Sequence, residues 1–341
     1  MTPTKQKNLD RLILEMNSPT FAVNTPIAWL NGQYLLESAA ALPVTDLGVV
    51  GGLAVSEMSR TFAGQIFRLT DHLERLRQSL KFVEIALPCS ESQIFEICTR
   101  VVTHNFKVVN TPEVIDSKEI PQELGVVIFV TAGPNPTYTG QEYARQHGPS
   151  VGIHTFCLRR QAYHAMYRDG VSLVCPPVQA LPAEIVPRTI KSRSRMHWRM
   201  GELAARKIDP HAFSILADDD GSLTETAAGN LVVIQNNCAI SPPEGQALEG
   251  ISLKATLEFC QRSGLTVERR KIWPKDLMMA QEAWLTSTPF GMVPVTRFDG
   301  HTIGAGPKGP WYQKILHQWS QTTGSDLALW LGGENTAGLE N

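Results

Sequence analysis

Lys191 follows a partly apolar run, Ile185-Val186-Pro187-Arg188-Thr189-Ile190. A lysine amine has an ordinary pKa of about 10.4, and desolvation or a nearby cation lowers it enough to leave a neutral nucleophile. Such an amine attacks carbonyls and forms a Schiff base. Most lysines are solvated surface groups, so the chemistry needs partners. Glu225 is one candidate, in Thr224-Glu225-Thr226-Ala227-Ala228-Gly229-Asn230 before the apolar run Leu231–Ile234. Arg75 is another. His72, Arg75 and Ser79 have the spacing of one helical face. An arginine there either snorkels to solvent or offers a planar donor fork to a phosphate. Gly250-Ile251-Ser252 opens a helical pattern, and a helix N-terminus is an anion site.

These residues need elements to hold them. Ile27–Leu30 and Tyr34–Leu36 read as strands joined at Asn31-Gly32, a strong hairpin signal. Residues 55–62 and 65–69 read as a second hairpin around Ala63-Gly64. Gly48, Gly51 and Gly52 precede it and permit close backbone approach or positive φ. Thr70 or Asp71 then caps a helix with Leu73, Leu76, Leu80 and Val83 as its apolar stripe. Residues 90–105 predict another helix, Leu124–Thr131 a long strand, and the polar run 141–147 a connection. Strands are expected at 150–158, 171–175, 212–217, 231–234, 283–288 and 292–296. Met196, Met200 and Leu203 give a helical apolar spacing, Leu253, Leu257 and Cys260 another that stops at Gly264, and Trp311–Trp319 a last helix. Residues 1–25 read as an accessory arm with one short helix around Leu12–Met16, and 323–341 as a loosely held tail.

At 341 residues, two domains are expected. The divisions fall at 1–25 for the arm, 26–147 for a smaller domain, 148–325 for a larger one carrying Lys191, and 326–341 for the tail. A net charge of −2 gives no general attraction to nucleic acid or anionic lipid. No apolar run reaches the length of a membrane span, and the N-terminus lacks the apolar core of a signal peptide. The six cysteines form no CxxC pair, which speaks against a metal site and fits a reducing, cytoplasmic setting. Gly304–Gly309 matches GxGxxG, but the sequence nearly ends there instead of running on through the helix, further strand and acidic residue that a dinucleotide fold requires, so it reads as a loop. Asp218-Asp219-Asp220 lacks the spacing of a calcium loop and reads as a solvated turn. The cluster Lys191, Arg193, Arg195, Arg199 lacks the aromatic platform of a nucleic-acid surface.

Taken together, the segments from Ile27 to Ile315 resemble the fold-type IV pyridoxal-phosphate enzymes, the class IV aminotransferases. That group holds branched-chain aminotransferases, D-amino-acid aminotransferases, (R)-selective amine transaminases and aminodeoxychorismate lyases. Seven pieces occur in the family's order. They are DxG at Asp46–Gly48, E-x-x-R at Glu57–Arg60, HxxRL at His72–Leu76, Lys191, TE-x-x-x-x-N at Thr224–Asn230, LEGIS at Leu248–Ser252 and LTSTPFGMVPV at Leu285–Val295. The resemblance implies an α/β, two-domain (α+β) chain with a smaller N-terminal α/β domain, a larger β-rich C-terminal domain and the cofactor between them. Pyridoxal 5'-phosphate would be that cofactor, bound as a Schiff base to Lys191, which also shuttles the proton. Glu225 would pair with the ring nitrogen and keep it protonated, so that the ring accepts electrons. Arg75, the Ile251 and Ser252 N–H groups and the Thr288 hydroxyl would hold the phosphate. A homodimer is implied as well.

The substrate side departs from the family. Gly-Asp-Gly is here Gly52-Leu53-Ala54, and the usual aromatic is Ser56. The Thr-Arg-Gly of D-amino-acid members is Thr131-Ala132-Gly133, and the tyrosine of branched-chain members is Met196. Arg60 resembles the branched-chain pattern, and Arg159, Arg160 or Arg297 are candidates to replace the missing carboxylate partner. The expected function is transfer of an amino group from an amino acid or amine to a 2-oxo acid. A lyase using the same lysine and a cofactor-binding protein without catalysis are the alternatives.

Overall fold

A computed structural model describes residues 24–111 and 120–332. The expected helix at Leu12–Met16 lies outside the described residues. The chain divides into two compact units, one reaching to Leu158 and taking in Lys191–Ser194, the other Arg159–Ile190 with the chain from Arg195 onward.

The first unit is built on a six-stranded sheet of β1 (Ile27–Leu30), β2 (Gln33–Leu36), β3 (Ala54–Phe62), β4 (Gln65–Ile66), β5 (Leu124–Thr131) and β6 (Val151–Cys157). Its order is β2-β1-β6-β5-β3-β4, with antiparallel neighbours throughout. Asn31 (φ 48) and Gly32 (φ 96) supply the two positive φ values that a two-residue hairpin turn needs. At the second hairpin Ala63 also takes a positive φ, and the Glu123 carboxylate accepts its N–H at 2.7 Å and the Thr61 hydroxyl at 2.5 Å. Successive residues of β3 point to opposite faces, which separates Ser56 from Glu57.

The helix Leu69–Phe82 buries Leu69, Leu73, Leu76 and Leu80. Full burial of each contributes about 2 kcal/mol. Its start differs from expectation. Neither Thr70 nor Asp71 caps it; the chain turns in through Arg68 in a left-handed conformation, and Asp71 lies in the first turn, where an acid favours the helix dipole. Val83 ends the helix and is partly exposed, so it does not belong to the stripe. The helix Glu91–Val109 starts from a capping box between Ser90 and Gln93. The run read as a connection is itself a helix, Gln141–His147, set between Gly140 and Gly148, both at positive φ.

In the second unit, β7 (Val171–Val174), β8 (Phe213–Ala217), β9 (Leu223–Thr226), β10 (Asn230–Gln235), β11 (Cys238–Ser241), β12 (Thr266–Arg269), β13 (Glu282–Ser287) and β14 (Gly291–Phe298) form the order β12-β11-β10-β13-β14-β7-β8-β9, with β15 (His301–Thr302) beside β14. Strand β9 also pairs with β10 through Glu225 and Asn230, which closes six of the strands into a ring. Parallel β11 and β12 need a crossover, and the helix Ile251–Arg262 lies in it.

Three expectations change here. The helix Met196–Ile208 forms, but Met196, Met200 and Leu203 are 73%, 51% and 39% exposed, and it buries Gly201 and Ala205 instead. The tail contains a helix, Leu327–Gly332, whose Leu327, Ala328, Trp330 and Leu331 are buried. An unforeseen helix, Gln161–Asp169, follows Arg159 and Arg160. The GxGxxG run leads into the helix Pro310–Thr323, whose Trp311 and Tyr312 N–H groups bond the Glu282 carboxylate at 2.9 and 2.7 Å. Asp218 and Asp220 of the acidic turn pair with Arg188 and Lys271.

Candidate functional site

Lys191 is half-buried and held by its backbone. Its carbonyl accepts the Ser56 N–H at 3.0 Å, and its N–H donates to Ser79 Oγ at 3.3 Å. Ser192 bridges Val55, and Arg193 N–H reaches Ala54 O at 2.9 Å. Lys191–Ser194 thereby runs beside the start of β3, joined to it by one isolated bridge and two flanking backbone hydrogen bonds.

The polar stripe on Leu69–Phe82 has a purpose at each position. Ser79 holds Lys191, while His72 and Arg75 both meet Glu57 on β3. Arg75 donates through Nε and Nη2, each at 2.8 Å, and His72 Nδ1 lies 2.7 Å from Oε2. All three are buried. Burial by itself raises the Glu57 carboxyl, but the Arg75 charge and hydrogen bonds, with His72 adding to them, outweigh it and hold it at about 2. Burial lowers the His72 imidazole against the pull of Glu57, with the Arg75 and Lys191 charges adding to the lowering. Facing an ionised acceptor, His72 carries its proton on Nδ1 and donates.

The sign of the resulting pH dependence follows. A carboxyl depressed in the fold stabilises it above the unfolded value near 4.3 and loses that contribution as pH falls through about 2. A neutral buried histidine acts in the same direction, because the unfolded chain takes up its proton first. Stability is therefore expected to drop by a few kcal/mol, on the order expected for one such buried group, between pH 7 and pH 2. Urea unfolding across that range tests this, and a flat profile would contradict the charge states assigned to Glu57 and His72.

The DxG motif organises the neighbouring turn. Asp46 is buried and accepts from Gly48 N–H at 2.7 Å, Thr131 Oγ1 at 3.0 Å and Ser150 Oγ at 2.8 Å. A Cβ on Gly48 would lie 2.4 Å from Thr131 Cγ2. Asp46 thus fixes the stretch that contains Ala132, whose N–H bonds Leu53 O at 3.2 Å. Arg60 is buried, donates from Nε to Thr61 O at 3.0 Å and stacks over Phe62 at 4.0 Å. A cavity of about 280 Å³ in this unit is lined by Trp29, Leu30, Glu37, Phe129 and His154 among others. It holds none of the residues singled out from sequence, though Phe129 is the cross-strand neighbour of Ser56.

In the second unit, Asn230 is a hub. Glu225 Oε2 accepts from Asn230 Nδ2 at 3.2 Å, and Oε1 accepts the Leu248 N–H at 3.0 Å. The same Nδ2 donates to Leu248 O at 2.8 Å. A Cβ on Gly250 would sit 2.0 Å from Asn230 Oδ1, so only glycine lets the start of Ile251–Arg262 come this close. Asn230 also faces Thr286 across β10 and β13. Ser287 Oγ bonds Ala228 O, and Thr288 lies in the turn that follows. Glu225, the Ile251–Ser252 helix start and the Thr288 turn are thus drawn together. The first-turn N–H groups of that helix have no carbonyl four residues back within it, and Gly250 supplies no side-chain cap. Thr286 Oγ1 is buried without a hydrogen-bond partner among the described residues. Glu225 lies on its own strand, β9, rather than on the approach to β10.

Met196 stands exposed at the head of its helix, and Arg159 and Arg297 are exposed, with Arg160 half-buried. Glu57 and Asn230 have no role assigned from sequence. For Glu57 the signal is present: a carboxylate inside an otherwise apolar strand must be paired if buried.

A family model described as amino-transferase class IV matches residues 54–298. The chain is 27% identical over 281 residues to a D-alanine aminotransferase of Bacillus licheniformis, covering 82% of this chain and 91% of that protein. It is 24% identical over 281 residues to an aminodeoxychorismate lyase of Bacillus subtilis, covering 81% and 88%. Its fold is similar to that of the T.th. branched-chain amino acid aminotransferase solved with pyridoxamine 5'-phosphate, with a TM-score of 0.74 at 18% identity, covering 91% and 98%.

Proposed function

The chain belongs to the class IV aminotransferase family, and on that premise we propose that it is a pyridoxal 5'-phosphate-dependent aminotransferase passing an amino group from an amino acid or amine to a 2-oxo acid. The observation that carries the proposal is the clasp around Asn230, which gathers a carboxylate, a helix N-terminus and a threonine turn. That donor set fits the cofactor. Glu225 suits a protonated ring nitrogen. The N–H groups of Ile251 and Ser252 and the Thr288 hydroxyl suit a phosphate dianion, and the buried Thr286 hydroxyl two residues away has no partner among the described residues.

When bound, pyridoxal phosphate supplies the carbonyl that takes up the amino group and the ring that accepts the electron pair released at the donor Cα. With the cofactor bound, Lys191 Nζ would hold it and would serve as the base for the Cα proton. Glu225 would keep a proton on the ring nitrogen, and Arg75 would offer a cationic fork to the phosphate.

Absorbance of the purified protein, followed by a panel of amino donors, tests the function. A band near the visible edge that a donor shifts, with amino transfer to an added 2-oxo acid, is expected. A lyase using the same lysine is the second reading, favoured by the similarity to the Bacillus subtilis protein. Pyruvate release without any 2-oxo acceptor would establish it in place of transamination.

A further inference from the structure

We propose that Glu57 is the positioning residue of the phosphate site, fixing the Arg75 guanidinium and, through the helix Leu69–Phe82, the spacing between Arg75 and Lys191. The inference rests on the roles proposed above for Arg75 and Lys191.

Two of the Arg75 nitrogens lie on the two Glu57 oxygens, each at 2.8 Å. His72 Nδ1, at 2.7 Å, adds a third contact that stops the carboxylate from turning. Glu57 is 1% exposed, so water does not compete for it. An arginine side chain has many rotamers to lose on binding, and this fork removes much of that freedom before a ligand arrives. The charges balance too: one carboxylate, one guanidinium and a neutral imidazole, so Arg75 is buried without an uncompensated charge.

The same residues close a ring through the backbone. On β3, Ser56 N–H holds the Lys191 carbonyl at 3.0 Å. Lys191 N–H reaches Ser79 Oγ at 3.3 Å. Ser79 lies one helical turn beyond Arg75 on the same face. Arg75 returns to β3 at Glu57, the residue next to Ser56. Removing Glu57 opens the ring at one point, leaving the Lys191 clamp intact and taking away the two-pronged hold on the Arg75 guanidinium.

The direction of the effect separates positioning from simple electrostatics. If Glu57 acted only by its charge, its removal would tighten a phosphate site by taking away a repelling carboxylate. Positioning predicts the opposite. The cofactor is stripped from the protein and titrated back, as pyridoxal 5'-phosphate and separately as pyridoxal, with binding read by absorbance. Glu57→Gln is expected to weaken the phosphorylated form about 10- to 100-fold, the range found for residues that orient a metal's ligands. Pyridoxal affinity should stay within about threefold of the wild type, since it makes no phosphate contact. In an Arg75→Ala background the Glu57 change should add nothing. Unchanged or tighter binding of pyridoxal 5'-phosphate, or equal losses for both forms, overturns the proposal. Should Glu57→Gln fail to fold, Glu57→Asp keeps the charge while withdrawing the fork, and the same affinity ratio decides. If Arg75→Ala itself leaves the ratio unmoved, the phosphate role of Arg75 fails. If that change lowers the ratio and Glu57→Gln does not, only the role of Glu57 fails.

Discussion

Lys191→Ala is expected to lower turnover by at least about 10⁴-fold, the upper range for loss of a single acid–base group, because in the proposed function the amine both holds the cofactor and moves the proton. The fold should survive. The bonds that place residue 191 come from its backbone, to Ser56 N–H and Ser79 Oγ, and alanine retains both. Far-UV circular dichroism and the unfolding midpoint should therefore match the parent. The absorbance band near the visible edge should be lost. A small primary amine added in excess should restore part of the turnover, since what is missing is an amine and not a scaffold. Activity within about tenfold of the parent would remove Lys191 from the mechanism, as that loss is smaller than a displaced acid–base group causes.

Elements with strong periodicity are legible in the sequence. The Asn31-Gly32 hairpin and the Leu69–Leu80 stripe follow from turn chemistry and from apolar residues at helical spacing. A buried face made of small residues is not. In Met196–Ile208 the buried face is Gly201 and Ala205, and a Cβ on Gly201 would come within 2.8 Å of Leu216 Cδ2. Close approach of that kind leaves no hydrophobic signature, so Met196, Met200 and Leu203 draw attention to the exposed side. Gln141–His147 has no buried face at all and is invisible to periodicity for that reason.

The site divides in the same way. Lys191, Arg75, Glu225, Ile251, Ser252 and Thr288 can be named as candidates because their motifs keep the family's order along the chain. What holds them cannot. The Glu57 fork, the Ser79 contact with Lys191 and the Asn230 clasp join residues far apart in sequence. The polar stripe His72, Arg75, Ser79 is visible as a face, but its partners on β3 and at Lys191 depend on how the sheet and helix pack. Ser56, Ala132 and Met196 mark where the chain departs from the family's pattern, while Arg60 keeps the branched-chain one. Arg60, buried over Phe62, and Met196, exposed at a helix start, sit in very different surroundings.

The second large effect is expected at Glu225. Glu225→Gln preserves shape and removes the charge that, in the proposed function, keeps the cofactor's ring nitrogen protonated. Turnover should fall about 10²–10³-fold, the loss typical of one preorganised electrostatic partner. Cofactor binding should change far less, since the amine of Lys191 and the phosphate donors remain. The local geometry adds a cost. Glu225 Oε2 accepts from Asn230 Nδ2, which is itself held by Leu248 O. A glutamine amide placed there would set donor against donor unless it turns its oxygen to Asn230 and gives up the Leu248 N–H. Leaving such a half-buried group without its partner costs up to about 1–3 kcal/mol, the penalty for a fully buried one, so a lowered melting point should accompany the lost turnover. Glu225→Asp discriminates between the two effects. It keeps the charge but shortens the reach to Asn230 and Leu248, so it should lose stability while retaining more turnover than the glutamine variant. A glutamine variant that turns over within a few-fold of the parent, with cofactor bound, would show that Glu225 organises the clasp and does not act on the ring.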